Sequence, residues 1–308
     1  MRPSTRSTIA VAACLCSLLP AAARAAACCT SATSFGVGRL LVWEDFAVGV
    51  QLGHVRSLGG WDSRGTLRLY GADFADGLTR VEPWAIVRLH DRVQVQARVP
   101  VLVNDREVGP ASQVAAGLGD VGAGVRVEAL SIGQYAELPS LAFTLGALAP
   151  TGRRPEQALP PLGAGTTGRG AWGVSLALET EWTHLPWYVR LDAGVTASMP
   201  FRRPDTGLEQ LYGPLVQAAL SGGRELVPDR LVGALALQAE YEAPLRTAGV
   251  LVPDSRAWAV GLTGSLSWRV EPHWTLVTSL TSSVWPTGVG MNRDARLGLT
   301  VGVRYGYF

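Results

Sequence analysis

The sequence predicts an all-β chain closed into a transmembrane, antiparallel, up-and-down β-barrel of about 12 strands. Three observations carry that expectation: apolar and polar residues alternate with period two, tryptophans bracket the alternating stretches, and the connections between stretches are alternately short and long. The tryptophan spacing is the most specific of the three. Trp172 and Trp182 stand ten residues apart, as do Trp258 and Trp268. A strand tilted by about 40° climbs roughly 25 Å over such a step, the height of a lipid-facing band with an aromatic girdle at each edge. Trp187 and Trp274 open two further stretches and complete the expected girdle.

Alternation places strands near 45–56, 79–90, 93–103, 119–130, 139–149, 171–182, 187–199, 214–224, 230–242, 257–269, 274–284 and 296–308. Connections between 90 and 93, 130 and 139, 182 and 187, 224 and 230, and 269 and 274 are short. Those after residues 56, 103, 149, 199, 242 and 284 are long and rich in Gly, Pro, Asp and Arg. Short periplasmic turns, long external loops and an even strand number put both termini in the periplasm.

The rows assigned to lipid hold no charge. They include Phe46, Val48, Val50 and Leu52; Val93, Val95, Ala97, Val99 and Val101; Trp187, Val189, Leu191, Ala193 and Val195; and Leu297 through Tyr307 at every second position. The alternate rows hold Arg98, Arg126, Glu128, Glu179, Glu181, Arg190, Asp192, Glu240, Glu242 and Arg304. These ten are the candidate lumen residues. Two readings stay open: an electrostatic constriction that orders a permeant, or a salt-bridged filling that holds the barrel's shape. Small inward residues such as Gly122, Gly124, Gly146, Ala234 and Ala236 leave space. The chain ends in Tyr305, Gly306, Tyr307, Phe308, which resembles the terminal signal that barrel-assembly machinery reads. The final Phe is out of phase with the outward row, so a terminal bulge or register change is expected.

Residues 1–25 read as a cleaved secretory signal: Arg2 and Arg6, an apolar run from Ile9 to Leu19, then small residues ending Ala23-Arg24-Ala25. The destination is the outer membrane. Residues 26–44 form a periplasmic tail or a latch that enters the lumen, and 45–308 the barrel. Ala25, Ala26 and Ala27 before Cys28 also fit a lipobox, which makes Cys28 a lipidation candidate; the other reading is a thiol, free or oxidised, in the tail. No disulfide framework is implied for the barrel.

Hydrophobic residues are 47% of the chain, yet no run beyond the signal spans a membrane as a helix, so the apolar surface must be distributed over strands. Losing the signal removes three of 27 basic residues and leaves 24 against 25 acidic ones. A near-neutral chain recommends no nucleic-acid partner. The expected partners are outer-membrane lipid, the assembly machinery and a small hydrophobic or aromatic solute.

Gly119-Asp120 opens a glycine-alternating strand, Pro150-Thr151-Gly152 ends the next, and Gly163-Ala164-Gly165-Thr166 lies in the loop that follows. In this order the motifs resemble the outer-membrane family linked to the meta-cleavage pathway of phenol degradation, over roughly residues 80–200. Arg126 stands where that family commonly has Lys, and Thr167-Gly168-Arg169 where it has an acidic residue. The resemblance implies a barrel related to channels for hydrophobic compounds.

Catalysis is not expected. A barrel phospholipase needs a His and a Ser two residues apart on an outward row, whereas His54 has Leu52 and Arg56 at those positions. His90, His184 and His273 fall in short connections, and the four His and three Met show no metal-ligand spacing. No metal or other cofactor is expected. The chain is therefore read as an outer-membrane channel for passive passage of small, poorly soluble organic compounds. The alternative is a non-conducting structural or adhesion barrel with a sealed lumen and binding loops such as Phe201 and Val250 to Val252.

Overall fold

A computed structural model describes residues 38–132, 138–284 and 288–308; the expected signal, Cys28 and the first part of the expected tail lie outside the described residues. Twelve wall strands follow one another. They are β1 (Phe46–Trp61), β2 (Phe74–His90), β3 (Val93–Arg98, continued by Val101–Val108), β4 (Ala111–Leu118, continued by Val121–Leu130), β5 (Ser140–Ala149), β6 (Gly173–His184), β7 (Trp187–Ser198), β8 (Leu215–Val227), β9 (Leu231–Glu242), β10 (Ala257–Arg269), β11 (Trp274–Ser282) and β12 (Arg293–Tyr307). Each pairs antiparallel with its neighbours in sequence, and β1 pairs with both β2 and β12. The sheet is a closed barrel.

Closure follows from the rows. With β1 in register against β12, from Phe46 opposite Tyr307 to Arg56 opposite Leu297, the exposed row Val48, Val50, Leu52 lies beside the row Leu297, Leu299, Val301. Their alternate neighbours, among them Ala47, Gly302 and Arg304, are buried inside. The exposed large apolar residues of the other strands continue this belt around the molecule, including Leu145, Leu176, Leu220, Leu235 and Leu280.

Aromatics gather at the short-turn rim. Phe46 stacks on Tyr307 with centroids 5.1 Å apart, Trp274 meets Tyr305 edge-on at 5.0 Å, and Arg224 lies over Trp187 at 4.9 Å. Trp182 and Trp268 stand on the same rim as exposed side chains, with Trp172 and Trp258 at the far ends of their strands. The described residues contain no helix long and apolar enough to cross a membrane.

Two expectations are corrected. The connection after residue 103 is not a long loop: β3 and β4 run on as a hairpin closed by Gly109 and Pro110, with Val108 opposite Ala111. The missed continuation follows from a proline and a bulge. Pro100 has no N–H to give the ladder, and pairing passes from Arg98–Gly122 to Val101–Leu118, so β4 carries one extra residue there. That residue reverses which positions of β4 face outward, from Val125 and Ala123 below the bulge to Leu118, Ala116 and Val114 above it. Gly119 is required at the crossing, since a Cβ there would sit 2.9 Å from the Pro100 ring.

The second correction concerns the chain end. That end has no bulge, because pairing runs unbroken from Phe46–Tyr307 to the shift between Ser57 and Gly59. Phe308 instead leaves the strand, and its ring stacks on His273 at 4.5 Å, which itself stacks on Tyr305 at 5.6 Å.

Val301 is half exposed on the outward row near mid-height, and Thr300 beside it faces the interior. Val301→Arg should lower folding stability in vesicles by about 2–4 kcal/mol. Thr300→Lys should cost clearly less, and urea titration of the two variants measures the difference.

Candidate permeation path in the barrel lumen

The lumen is divided lengthwise. On the side of β1 to β7, towards the short turns, it is filled by charged side chains and by the segment preceding β1. Period two brings Arg126 and Glu128 of β4, Glu179 and Glu181 of β6, and Arg190 and Asp192 of β7 to one inner surface. Glu179 lies opposite Asp192 in the ladder, where like charges would repel, and guanidinium groups come between them. Arg126 Nε donates to Glu179 at 3.1 Å, Arg190 Nη2 donates to the same oxygen at 3.3 Å, and Arg190 Nη2 lies 2.8 Å from Asp192. Arg126 also pairs with Glu128, and Thr144 of β5 donates to Glu179 at 3.2 Å. The Arg190, Asp192, Glu181 and Arg126 residues are only 2–4% exposed. Charges so buried must be paired, and four strands are tied together in pairing them.

Residues 38–45 lock onto this network. Arg39 donates to Glu181 at 3.0 Å, and the Leu40 amide donates to Gln94 at 3.1 Å. The Leu40 side chain packs among Ala47, Trp84 and Ile86 on the inner faces of β1 and β2. Glu44 takes both guanidinium nitrogens of Arg304, while Arg88 donates to the carbonyls of Leu41 and Glu44 at 2.6 and 2.8 Å. Arg304, expected among the lumen charges, thus holds the tail rather than another strand.

Along β7 to β11 the lumen is open. A cavity of about 580 Å³ runs from Arg169 and Arg296 at the long-loop end to Tyr188 and Val232, each one residue from the start of its strand. Its wall there is made by short side chains, chiefly Ala234, Ala236, Thr263, Ser265, Ser279 and Thr281. Thr263 and Thr281 share a hydrogen bond of 2.9 Å across β10 and β11. Hydroxyls can satisfy one another or water, so the surface is wettable without carrying charge.

The remaining predicted residues separate into two places. Glu240 and Glu242 lie at the long-loop end, paired with Arg293 at 3.1 and 2.6 Å. Glu242 also receives Arg169 at 2.8 Å from the loop between β5 and β6. Arg98 faces the cavity and belongs to neither network.

That loop comes back over the mouth. Asp120 accepts the amides of Gly152 at 3.0 Å and Arg169 at 2.9 Å, and Thr151 donates to the Gly119 carbonyl at 2.6 Å. Asn104 donates to the carbonyls of Ala164 and Thr166, both at 2.7 Å, and Thr167 donates to that of Leu118 at 2.7 Å. A Cβ on Gly152 would meet the Gly168 backbone at 2.6 Å. The three motifs that carry the family resemblance therefore meet in one clasp. Tyr212 donates to the Arg169 carbonyl at 3.3 Å, and burial, with Glu156 nearby, pushes its phenol pKa up.

Sequence reasoning missed Arg39, Glu44, Asn104, Asp120 and Arg169. Asp120 was visible as part of a Gly-Asp pair, but its partners lie 32 and 49 residues away. His54 has the Thr79 hydroxyl 3.0 Å from Nδ1 on the outward surface of β2, and Asp105 lies across Gly77 from it without a hydrogen bond between them. No acidic group orients that pair among the described residues. Nor do three or more His, Cys, Asp or Glu gather there to hold a metal.

No protein-family model matches the chain, and no curated protein matches it. Among solved structures, an outer-membrane channel from Pseudomonas putida F1 superposes with a TM-score of 0.71 at 15% identity, over 90% of this chain and 99% of that one. The β domain of the Bordetella autotransporter Brka (TM-score 0.49, 12% identity, 86% and 100% covered) and the NanC porin (0.49, 8%, 84% and 98%) are more distant. The first likeness is one of fold. With the closed wall and its apolar belt, it makes the chain an outer-membrane β-barrel.

Glu179→Ala removes the carboxylate shared by Arg126 and Arg190, leaving buried guanidinium groups short of a partner. The expected loss is about 3 kcal/mol or more of folding stability. Asp120→Ala, which frees only the clasp, should leave the unfolding midpoint within about 1 kcal/mol of the parent. Unfolding in detergent, followed by tryptophan emission, tests both.

Proposed function

We propose that the barrel is an outer-membrane channel through which small, poorly soluble organic compounds pass passively and without a cofactor. The short turns face the periplasm and the long loops face outward. The observation that carries this reading is the cavity along β7 to β11, which extends almost the whole height of the wall. Its hydroxyl and small apolar lining suits a small solute with an apolar body. The fold shared with the Pseudomonas putida channel supports the reading, as does the resemblance to barrels linked to phenol degradation. Exposed Val250 and Leu251 on the loops would meet such solutes first.

The segment 38–45 acts as a latch on the periplasmic side, held by Arg39–Glu181 and Glu44–Arg304. The same contacts favour the second reading, a sealed structural barrel, because Arg126 and Arg190 are each held by two carboxylates. Permeation separates the two. Liposomes bearing the mature protein should swell in small neutral solutes such as phenol or glycerol, and Arg39→Ala should swell them faster by about threefold, the effect of losing one buried ion pair from the latch. Swelling at the protein-free rate for both forms would support the sealed barrel.

A further inference from the structure

Arg98 stands apart from the other inward arginines. Each of Arg80, Arg106, Arg126, Arg190, Arg293 and Arg304 has a carboxylate within ion-pair distance, whereas Arg98 has neither an ion pair nor a hydrogen bond among the described residues. The charges acting on it are Glu82 and Arg80 of β2. Glu82 is already paired with Arg80, so two guanidinium groups share one carboxylate. Arg80 Nε is itself buried without a partner. The other carboxylate lining the cavity, Asp120, accepts the two backbone amides of the loop clasp. The Arg98 guanidinium is left half-buried without a carboxylate partner of its own.

The surroundings of that charge are formed and apolar on one flank. Arg98 lies opposite Gly122 in the ladder, and the space above Gly122 is bounded by Arg98 Nε and by the Leu148 side chain, 2.9 and 3.3 Å from where a Cβ would stand. Leu78 and Leu148 line the same cavity as Arg98, with hydroxyls and amides such as Thr196 and Gln51 further round. Below, each of Arg39, Arg126 and Arg190 already has a carboxylate partner, so an anion is better met at Arg98 than beneath it.

We infer that Arg98 is the anchor of a binding site for a small organic monocarboxylate, whose carboxylate is held by the free guanidinium fork and whose apolar body lies against Leu148 and Leu78. A single guanidinium without a partner matches a single carboxylate. The planar fork matches a carboxylate in two parallel hydrogen bonds, and a cavity of about 580 Å³ has room for a one- or two-ring acid. This rests on the channel reading for its purpose and narrows the solute class.

The test is calorimetric titration of the mature protein in detergent with benzoate, its neutral analogue benzamide, and inorganic phosphate. Benzoate should bind saturably and about tenfold or more tightly than either of the others, as a charge-assisted bidentate contact with an apolar flank requires. Arg98→Gln should weaken benzoate about tenfold or more and leave benzamide unchanged, with Arg98→Lys between. Arg56→Gln, at an exposed arginine on the outward row, is the control and should bind like the parent. Retained heat-modifiable migration on gels identifies the variants that have folded. Benzamide or phosphate binding as tightly as benzoate, or unaltered benzoate binding by folded Arg98→Gln, overturns the site. Flux keeps the two readings distinct. Arg98-dependent benzoate binding without permeation of any solute leaves the site standing and removes the channel, whereas permeation indifferent to Arg98 does the reverse.

Discussion

Lipid offers a peptide group no hydrogen-bond partner, and the pairing of β1 with β12 is the contact that lets this chain live in it. Without that seam the wall would present two unpaired edges to hydrocarbon, each a row of N–H and C=O groups costing several kcal/mol apiece. With it, every strand has two neighbours, and the side chains are sorted by parity alone. Val48, Val50 and Leu52 meet lipid because Ala47, Gly49 and Gln51 cannot. The lumen is the remainder of that sorting.

What the remainder contains is set by a second constraint. Charges inside a narrow barrel are poorly solvated, so each must find a partner on a nearby strand, and those partners fix what space is left. Glu179 draws Arg126 and Arg190 together across β4, β6 and β7, and Arg39 and Glu44 bring the preceding segment into the same network. Below Glu240 the inner rows of β8 to β11 carry short uncharged side chains, and the cavity lies along them. An ion-paired filling and an open cavity occur side by side in one barrel.

The fold was legible because its rule is local. Period two and the Trp172/Trp182 and Trp258/Trp268 spacing need only the strand itself. Where the rule is broken within a strand, the reading stopped early: Pro100 and the Gly119 bulge shift β4 by one position, so the apolar alternation seemed to end at 103 and resume at 119. The site was legible only as a list of inward charges. Parity gives the face of Arg98, Arg126 and Arg190 but not which carboxylate each meets, since pairs such as Arg126–Glu179 and Arg39–Glu181 join residues 53 and 142 positions apart. The clasp around Asp120 is equally hidden, because its partners lie 32 and 49 residues away along the chain.

The claim beneath all of this is that neighbouring residues of one strand see oil and water in turn. Nitroxide labels placed singly at residues 297–305 of β12, in a background lacking Cys28 and Cys29 and reconstituted in vesicles, measure it directly. Collision with oxygen dissolved in the bilayer should be high at 297, 299, 301, 303 and 305. Collision with a water-soluble nickel chelate should be relatively favoured at the positions between. A flat profile, or alternation in the opposite phase, would contradict the account.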